Sequence, residues 1–155
     1  QAGLHSVLPI EPDSLDATVG VGRMGNAPQG LSVADLANAL VDSLKQADSS
    51  VTVSGYQIAG DGTHPAGKVG IVCGSGGGMI HAIRTAGCNT FITGELKLHD
   101  ALEATASGVN VIALGHHVSE RFSMEVLAKR LKKRCPAVDC MVSCHDLDPF
   151  NWFAC

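Results

Sequence analysis

A chain of 155 residues with 45% hydrophobic content can bury one core, which argues against wholesale disorder and favours a single domain of ordinary size. Its formal charge of -4 disfavours general binding to nucleic acid or to an anionic membrane surface, and no apolar run approaches the length of a bilayer span. Six cysteines without a secretory leader read as free thiols in a reducing compartment, so the expected location is cytoplasmic, with the nucleus as a second option.

The chain opens on Gln1 rather than methionine, as expected of a fragment or a processed chain. Residues 1–30 are rich in proline and glycine, show no sustained period, and are predicted to form an extended leading segment that closes on Gly20-Val21-Gly22-Arg23-Met24-Gly25. The domain proper is predicted to span residues 31–155. Ser32 is a candidate helix N-cap with Asp35 three residues on, and Val33, Leu36, Ala37, Leu40, Val41 and Leu44 follow the spacing of an amphipathic helix ending near Ala47. Val51 to Tyr56 alternates like a strand, and Gly60 to Pro65 is a loop by its turn residues.

From Lys68 onward one phrase repeats: apolar strand, polar or glycine-rich turn, helix. Val69–Cys73 leads into Met79–Ala86, Thr90–Thr93 into His99–Ala106, and Val109–Leu114 into Arg121–Arg134, with a last strand expected near Val138–Cys144. Strands alternating with helices at this spacing predict parallel pairing and an α/β layered domain with a mostly parallel sheet. Ligand sites in such sheets lie beyond the carboxyl ends of the strands.

Two successive strand ends carry chemistry. Glu95 and His99 are a carboxylate and an imidazole separated by four residues, and so, in the reverse order, are His116 and Glu120. If the second pair begins a helix, its members sit one turn apart and can converge on one ion, while His117 points elsewhere. The bland alternative is a salt bridge at one helix start and a satisfied histidine at the other; the coincidence of both pairs favours a shared crevice.

Cys73-Gly74-Ser75-Gly76-Gly77-Gly78 lies between a strand and a helix. There, Gly74, Ser75 and Gly76 are candidates for holding an anion or substrate through backbone N–H groups, with Arg23 as a fourth. A tight turn that lets backbones approach explains the same glycines equally well, because Met79 stands where a dinucleotide fingerprint needs glycine and no P-loop lysine follows. The basic run Lys129 to Arg134 complements a helix dipole, and a solvated helix end is preferred to a nucleic-acid contact. Cys135, Cys140, Cys144 and His145 do not have zinc-site spacing; on a strand, Cys140, Val142 and Cys144 would share one buried face. His145, Asp146 and Asp148 offer ligand chemistry, but Asp148-Pro149 reads first as a turn, and Phe150, Trp152 and Phe153 are expected to dock on the core.

Taken together, Gly20-x-Gly22-Arg23-x-Gly25, Gly74-Ser75-Gly76, Thr93-Gly94-Glu95 with His99, Gly115-His116-x-x-x-Glu120 and Asp148-Pro149 resemble the NGG-interacting-factor-three-like family. Its members are also known as dinuclear metal-centre proteins and GTP cyclohydrolase I type 2 homologues. The resemblance runs from about Val19 to Phe150 and implies the second of two similar, intertwined α/β/α modules, assembled in many members as a ring-shaped hexamer with two divalent metals in a cleft. On that resemblance His116 and Glu120 match metal ligands, and Glu95 and His99 match positions lining the cleft. The remaining ligands come from a first module that this chain does not contain, and His64-Pro65 does not replace them.

The resemblance implies the C-terminal module of a divalent-metal-dependent hydrolase, its metal zinc, manganese, iron or cobalt. A water acidified by the metals would attack a purine nucleotide such as GTP, with Glu95 or His99 orienting substrate or moving protons. The site would be completed by the missing half or by another subunit, and the expected partners are further copies of this chain in a homo-oligomer, with a separate protein as a second option. The alternative is a non-catalytic protein-interaction module that binds a transcriptional co-regulator without metal. A weaker third reading is nucleotide binding through Gly74 to Gly78 alone.

Overall fold

The computed structural model describes residues 3–47 and 53–150. Strands β1 (His5–Leu8), β2 (Glu11–Pro12), β3 (Gly20–Val21) and β4 (Arg23–Asn26) come first, followed by helix α1 (Val33–Ala47). Then follow β5 (Gln57–Ala59), β6 (Lys68–Ser75), a 3-10 turn at Gly77–Met79, α2 (Ile80–Thr85), β7 (Thr90–Glu95), α3 (Leu98–Ala106), β8 (Asn110–Ala113) and α4 (His116–Arg134). The main sheet has the order β1-β4-β6-β7-β8-β5, while β2 and β3 form a separate small ribbon.

The three central strands, β6, β7 and β8, are parallel, as the repeated strand–turn–helix phrase predicts. The flanking pairs β4–β6, β1–β4 and β5–β8 are antiparallel. Alternation along the central strands separates two apolar layers. Ile92 and Ile112 face α1 and α4 through Val33, Leu36, Leu40 and Val118. Phe91 and Val111 face α2 and α3 through Ile80, Ile83 and Ala104. The result is the expected α/β/α sandwich. Truncating a side chain as buried as Phe91 costs about 3–5 kcal/mol, so these two layers outweigh any single surface contact.

Four expectations need correction. Residues 3–30 form short strands joined by turns, but β1 and β4 belong to the main sheet instead of leading up to it, because the unpaired edge of β6 accepts β4. The strand expected at Val51–Tyr56 is found at Gln57–Ala59; Val51 and Thr52 lie outside the described residues. No strand forms at 138–144: β5 already holds the edge beside β8, and this segment is irregular, with Cys144 exposed instead of buried on a strand face. Phe150 is 78% exposed and does not dock on the core, while Trp152 and Phe153 lie outside the described residues.

Local chemistry sets the helix starts. The Ser32 hydroxyl accepts the Asp35 N–H at 3.1 Å, and the Asp35 carboxylate accepts both the Ser32 N–H and its hydroxyl. This is a capping box with aspartate in the glutamate position. α4 begins at His116, directly after Gly115, whose φ of 99° lets the chain turn sharply from β8 into the helix.

Candidate functional site

The carboxyl ends of β6, β7 and β8 converge on the first turn of α4, and each supplies one part of the site. β7 ends on Glu95, β8 leads through Gly115 into His116, and Glu120 follows one turn along α4. His116 Nδ1 lies 3.0 Å from Glu95 Oε1, and His116 Nε2 lies 3.5 Å from Glu120 Oε2. A carboxylate can only accept, so the Nδ1 proton faces Glu95 and the neutral ring turns its Nε2 lone pair toward Glu120. Nε2 then faces Glu120 Oε2 across a gap that a proton on the ring or a cation would bridge. The Glu95 hydrogen bond, opposed by burial and aided by the Glu120 and Glu95 charges, holds the His116 pKa above its ordinary value.

β6 makes room for this pair. Its register against β7 shifts between Val72 and Ser75, and Gly74 takes φ +67°. A Cβ at Gly74 would overlap Glu120 Oε1 and come within 3.2 Å of His116 Nε2. The backbone of Gly74 is also fixed from both sides. Its N–H donates to Ser119 Oγ at 2.9 Å, Ser119 Oγ donates to the His116 carbonyl, and Thr93 Oγ1 donates to the Gly74 carbonyl at 3.2 Å. Gly94 completes the arrangement, since a Cβ there would lie 2.6 Å from both the Gly74 carbonyl and Ser119 Oγ.

These contacts decide what the glycine-rich stretch does. The Gly74 N–H is used inside the protein, and the Asp100 carboxylate already sits against Gly77, where a Cβ would meet it. An incoming anion would meet a carboxylate there. Close approach of neighbouring atoms accounts for the glycines at 74 and 76 without a ligand. Arg23 is likewise engaged elsewhere, its Nη1 donating to the carbonyls of Gly20 and Gly22. Beside the site, burial and the Glu120 charge push the Cys73 thiol pKa up, which keeps it protonated at neutral pH.

A cleft of about 770 Å³ opens over the site, lined by Glu95, His116, Glu120, Met124, Asp146 and Phe150 among others. His99 does not line it. Because β7 runs on through Glu95 and α3 begins only at Leu98, Glu95 and His99 do not share a helix; the exposed His99 turns to Asp100, with Nε2 3.3 Å from Oδ1. His117 lines the same cleft as His116 and lies 3.8 Å from Asp146, with no ion pair to Glu120 or Glu95 among the described residues. The sequence offered Asp146 and Asp148 as ligands but read Asp148-Pro149 first as a turn, and it gave Arg121 and Ser119 no role, since neither carries a spacing signal.

The sequence profile of the DUF34/NIF3 family (NGG1p interacting factor 3) matches residues 2–149. The chain belongs to the DUF34/NIF3 family. It is 28% identical over 152 residues to the GTP cyclohydrolase 1 type 2 homolog of Bacillus subtilis, covering 96% of this chain and 38% of that protein. Against the homolog of the same name from Clostridium perfringens it is 25% identical, covering 97% of this chain and 55% of the relative. The chain therefore spans between about two fifths and just over half of these relatives' length. Among solved structures, a Bacillus cereus protein related to NIF3 superposes with a TM-score of 0.76 at 24% identity, over 89% of this chain and 37% of that one. A Staphylococcus aureus hypothetical protein gives 0.72 at 26% identity, over 90% and 38%. The fold is thus the NIF3 fold. No helix among the described residues is long and apolar enough to cross a membrane.

The donor chemistry at α4 fits part of a metal site. Donors about 2.0–2.2 Å from a tetrahedral ion stand about 3.3–3.5 Å apart, close to the 3.5 Å between His116 Nε2 and Glu120 Oε2. Glu95 on the far ring nitrogen stands where a carboxylate would orient a metal-binding imidazole. No group of three or more His, Cys, Asp or Glu side chains is placed to hold an ion among the described residues, so the fit is to one side of a site.

Proposed function

We propose that this NIF3-family chain supplies one wall of a divalent-metal centre for hydrolysis, with His116 and Glu120 as its donors and Glu95 as the residue that fixes the His116 ring. The observation that carries this reading is the approach of His116 Nε2 and Glu120 Oε2 to 3.5 Å beside a glycine whose missing side chain leaves room there. A bound divalent ion would supply Lewis-acid polarisation and a lowered water pKa. This chain's own part is to direct the Nδ1 proton of His116 toward Glu95, which leaves Nε2 for the ion, and to wall the cleft. Glu95, 55% exposed and already bound to His116, is also placed to take a proton from a group entering the cleft.

The relatives' name makes a purine nucleotide such as GTP the substrate to test first. Zinc, manganese, iron and cobalt all suit an imidazole and a carboxylate. The remaining donors come from the rest of a longer protein or from another subunit. The test is metal titration of the full chain by calorimetry. His116→Ala and Glu120→Gln should abolish uptake, and Glu95→Gln should weaken it by about tenfold or more. Uptake unchanged in His116→Ala would sink the reading.

A second reading, a protein-interaction module, draws support from Leu98 and Leu102, which stand one turn apart on α3 and are 77% and 59% exposed. It predicts partner binding that survives His116→Ala.

A further inference from the structure

Gly74 is the point at which sheet, helix and candidate donors meet. Glu120 Oε1 and His116 Nε2 both crowd the position that its Cβ would take, so the seating of α4 against this one residue sets where the pair stands. β6 bulges between Val72 and Ser75, and a bulge takes its extra residue out of the ladder between strands. The Gly74 N–H turns instead to Ser119 Oγ on the first turn of α4, 2.9 Å away. The same oxygen donates to the His116 carbonyl, also at 2.9 Å.

A serine hydroxyl has one proton to give and lone pairs with which to receive, and here both capacities are used. The proton goes to the helix residue that carries the imidazole, and a lone pair takes the proton of the strand. Ser119 is 4% exposed, so bulk water scarcely competes for either bond. On the other side of Gly74, Thr93 Oγ1 donates to the Gly74 carbonyl at 3.2 Å, and Thr93 is 1% exposed. Thr93 stands two residues before Glu95, the partner of His116 Nδ1. One peptide segment is thus clamped by two buried hydroxyls, one from the helix that carries His116 and Glu120 and one from the strand that carries Glu95.

Resting on the reading of His116 and Glu120 as metal donors, we propose that Ser119 is the positioning residue of that pair, with Thr93 as its counterpart on β7. The Ser119 hydroxyl fixes the height of the first turn of α4 over Gly74, and with it the 3.5 Å between His116 Nε2 and Glu120 Oε2. Both hydroxyls act through the Gly74 backbone and not on the ion, keeping the donors at their spacing before anything binds.

Co²⁺ titration of the full chain, followed by calorimetry and by the visible absorption of the bound ion, tests this. Ser119→Ala removes the hydroxyl at almost unchanged volume. It should weaken Co²⁺ binding about tenfold or more and alter the visible bands, because the two donors no longer keep their spacing. Thr93→Val should act in the same direction, and Thr93→Ser, which keeps the hydroxyl, should restore binding. Ile83→Val, a truncation in the opposite apolar layer, lowers stability while leaving the clamp intact. It should keep the affinity within about twofold of the unaltered chain and the bands unchanged. Unaltered affinity or unaltered bands in Ser119→Ala overturns the proposal, and so does an equal loss in Ile83→Val, which marks general loosening. If Ser119→Ala does not fold, the Thr93 variants decide, and Thr93→Ser binding no better than Thr93→Val overturns the proposal. Co²⁺ uptake by the unaltered chain is read in the same series: with uptake intact a failure counts against the clamp alone, whereas absent uptake removes the reading beneath it as well.

Discussion

Gly74 must lack a side chain for two separate reasons, its positive φ and the overlap a Cβ would make with Glu120 Oε1. Gly74→Ala is expected to cost about 1–2 kcal/mol from the backbone alone and more from the overlap, and to displace Glu120 from His116. Thermal unfolding should show the loss, and metal titration should show weakened uptake in whatever fraction remains folded. The spacing of His116 and Glu120 made their convergence legible in the sequence, because a one-turn separation on a helix brings side chains together. The same spacing misled at Glu95 and His99, since only His99 is on a helix. Nothing in the one-dimensional pattern tells a glycine that binds an anion from one that makes room for a neighbour; only the position of Glu120 decides it.

At the scale of elements, α1 was legible in both period and cap. The Ser32 hydroxyl and N–H hold the Asp35 carboxyl below its ordinary pKa. A carboxyl with a lowered folded-state pKa stabilises fully above its unfolded-chain value, and that stabilisation is lost as pH falls through the lower folded value. Ser32→Ala should cost about 1 kcal/mol at neutral pH through the lost cap, and should move the acid-unfolding midpoint to higher pH, as followed by circular dichroism. The segment after α4 was not legible. Its alternating Cys140, Val142 and Cys144 imitate a strand, but the edge of β8 is taken by β5, and Arg121 binds the Ser143 carbonyl. Tertiary contacts, which local alternation cannot report, decided that stretch.

For the whole molecule, the three parallel strands and their crossover helices followed from the repeated phrase, while the short outer strands did not. β1 and β4 have four residues each, too few for a period to emerge from a glycine-rich run. The larger consequence concerns stoichiometry. A wall with two donors, in a chain that spans 38% of its Bacillus subtilis relative, calls for donors from another polypeptide segment. If a second copy can supply them, manganese or zinc should shift the chain toward a higher assembly in analytical ultracentrifugation, and His116→Ala should abolish the shift. Metal-independent sedimentation together with tight binding of two ions per chain would refute shared donation.

The close seating of α4 on Gly74 and Gly94 also has a mechanical meaning. A Cβ on Gly94 would come 3.0 Å from His116 Cα and 2.6 Å from Ser119 Oγ, so helix and sheet approach closely there with only the short Ser119 side chain wedged between them. That same hydroxyl ties the helix to the Gly74 N–H. A side chain added at Gly94 would therefore push the start of α4, and His116 with it, off the sheet.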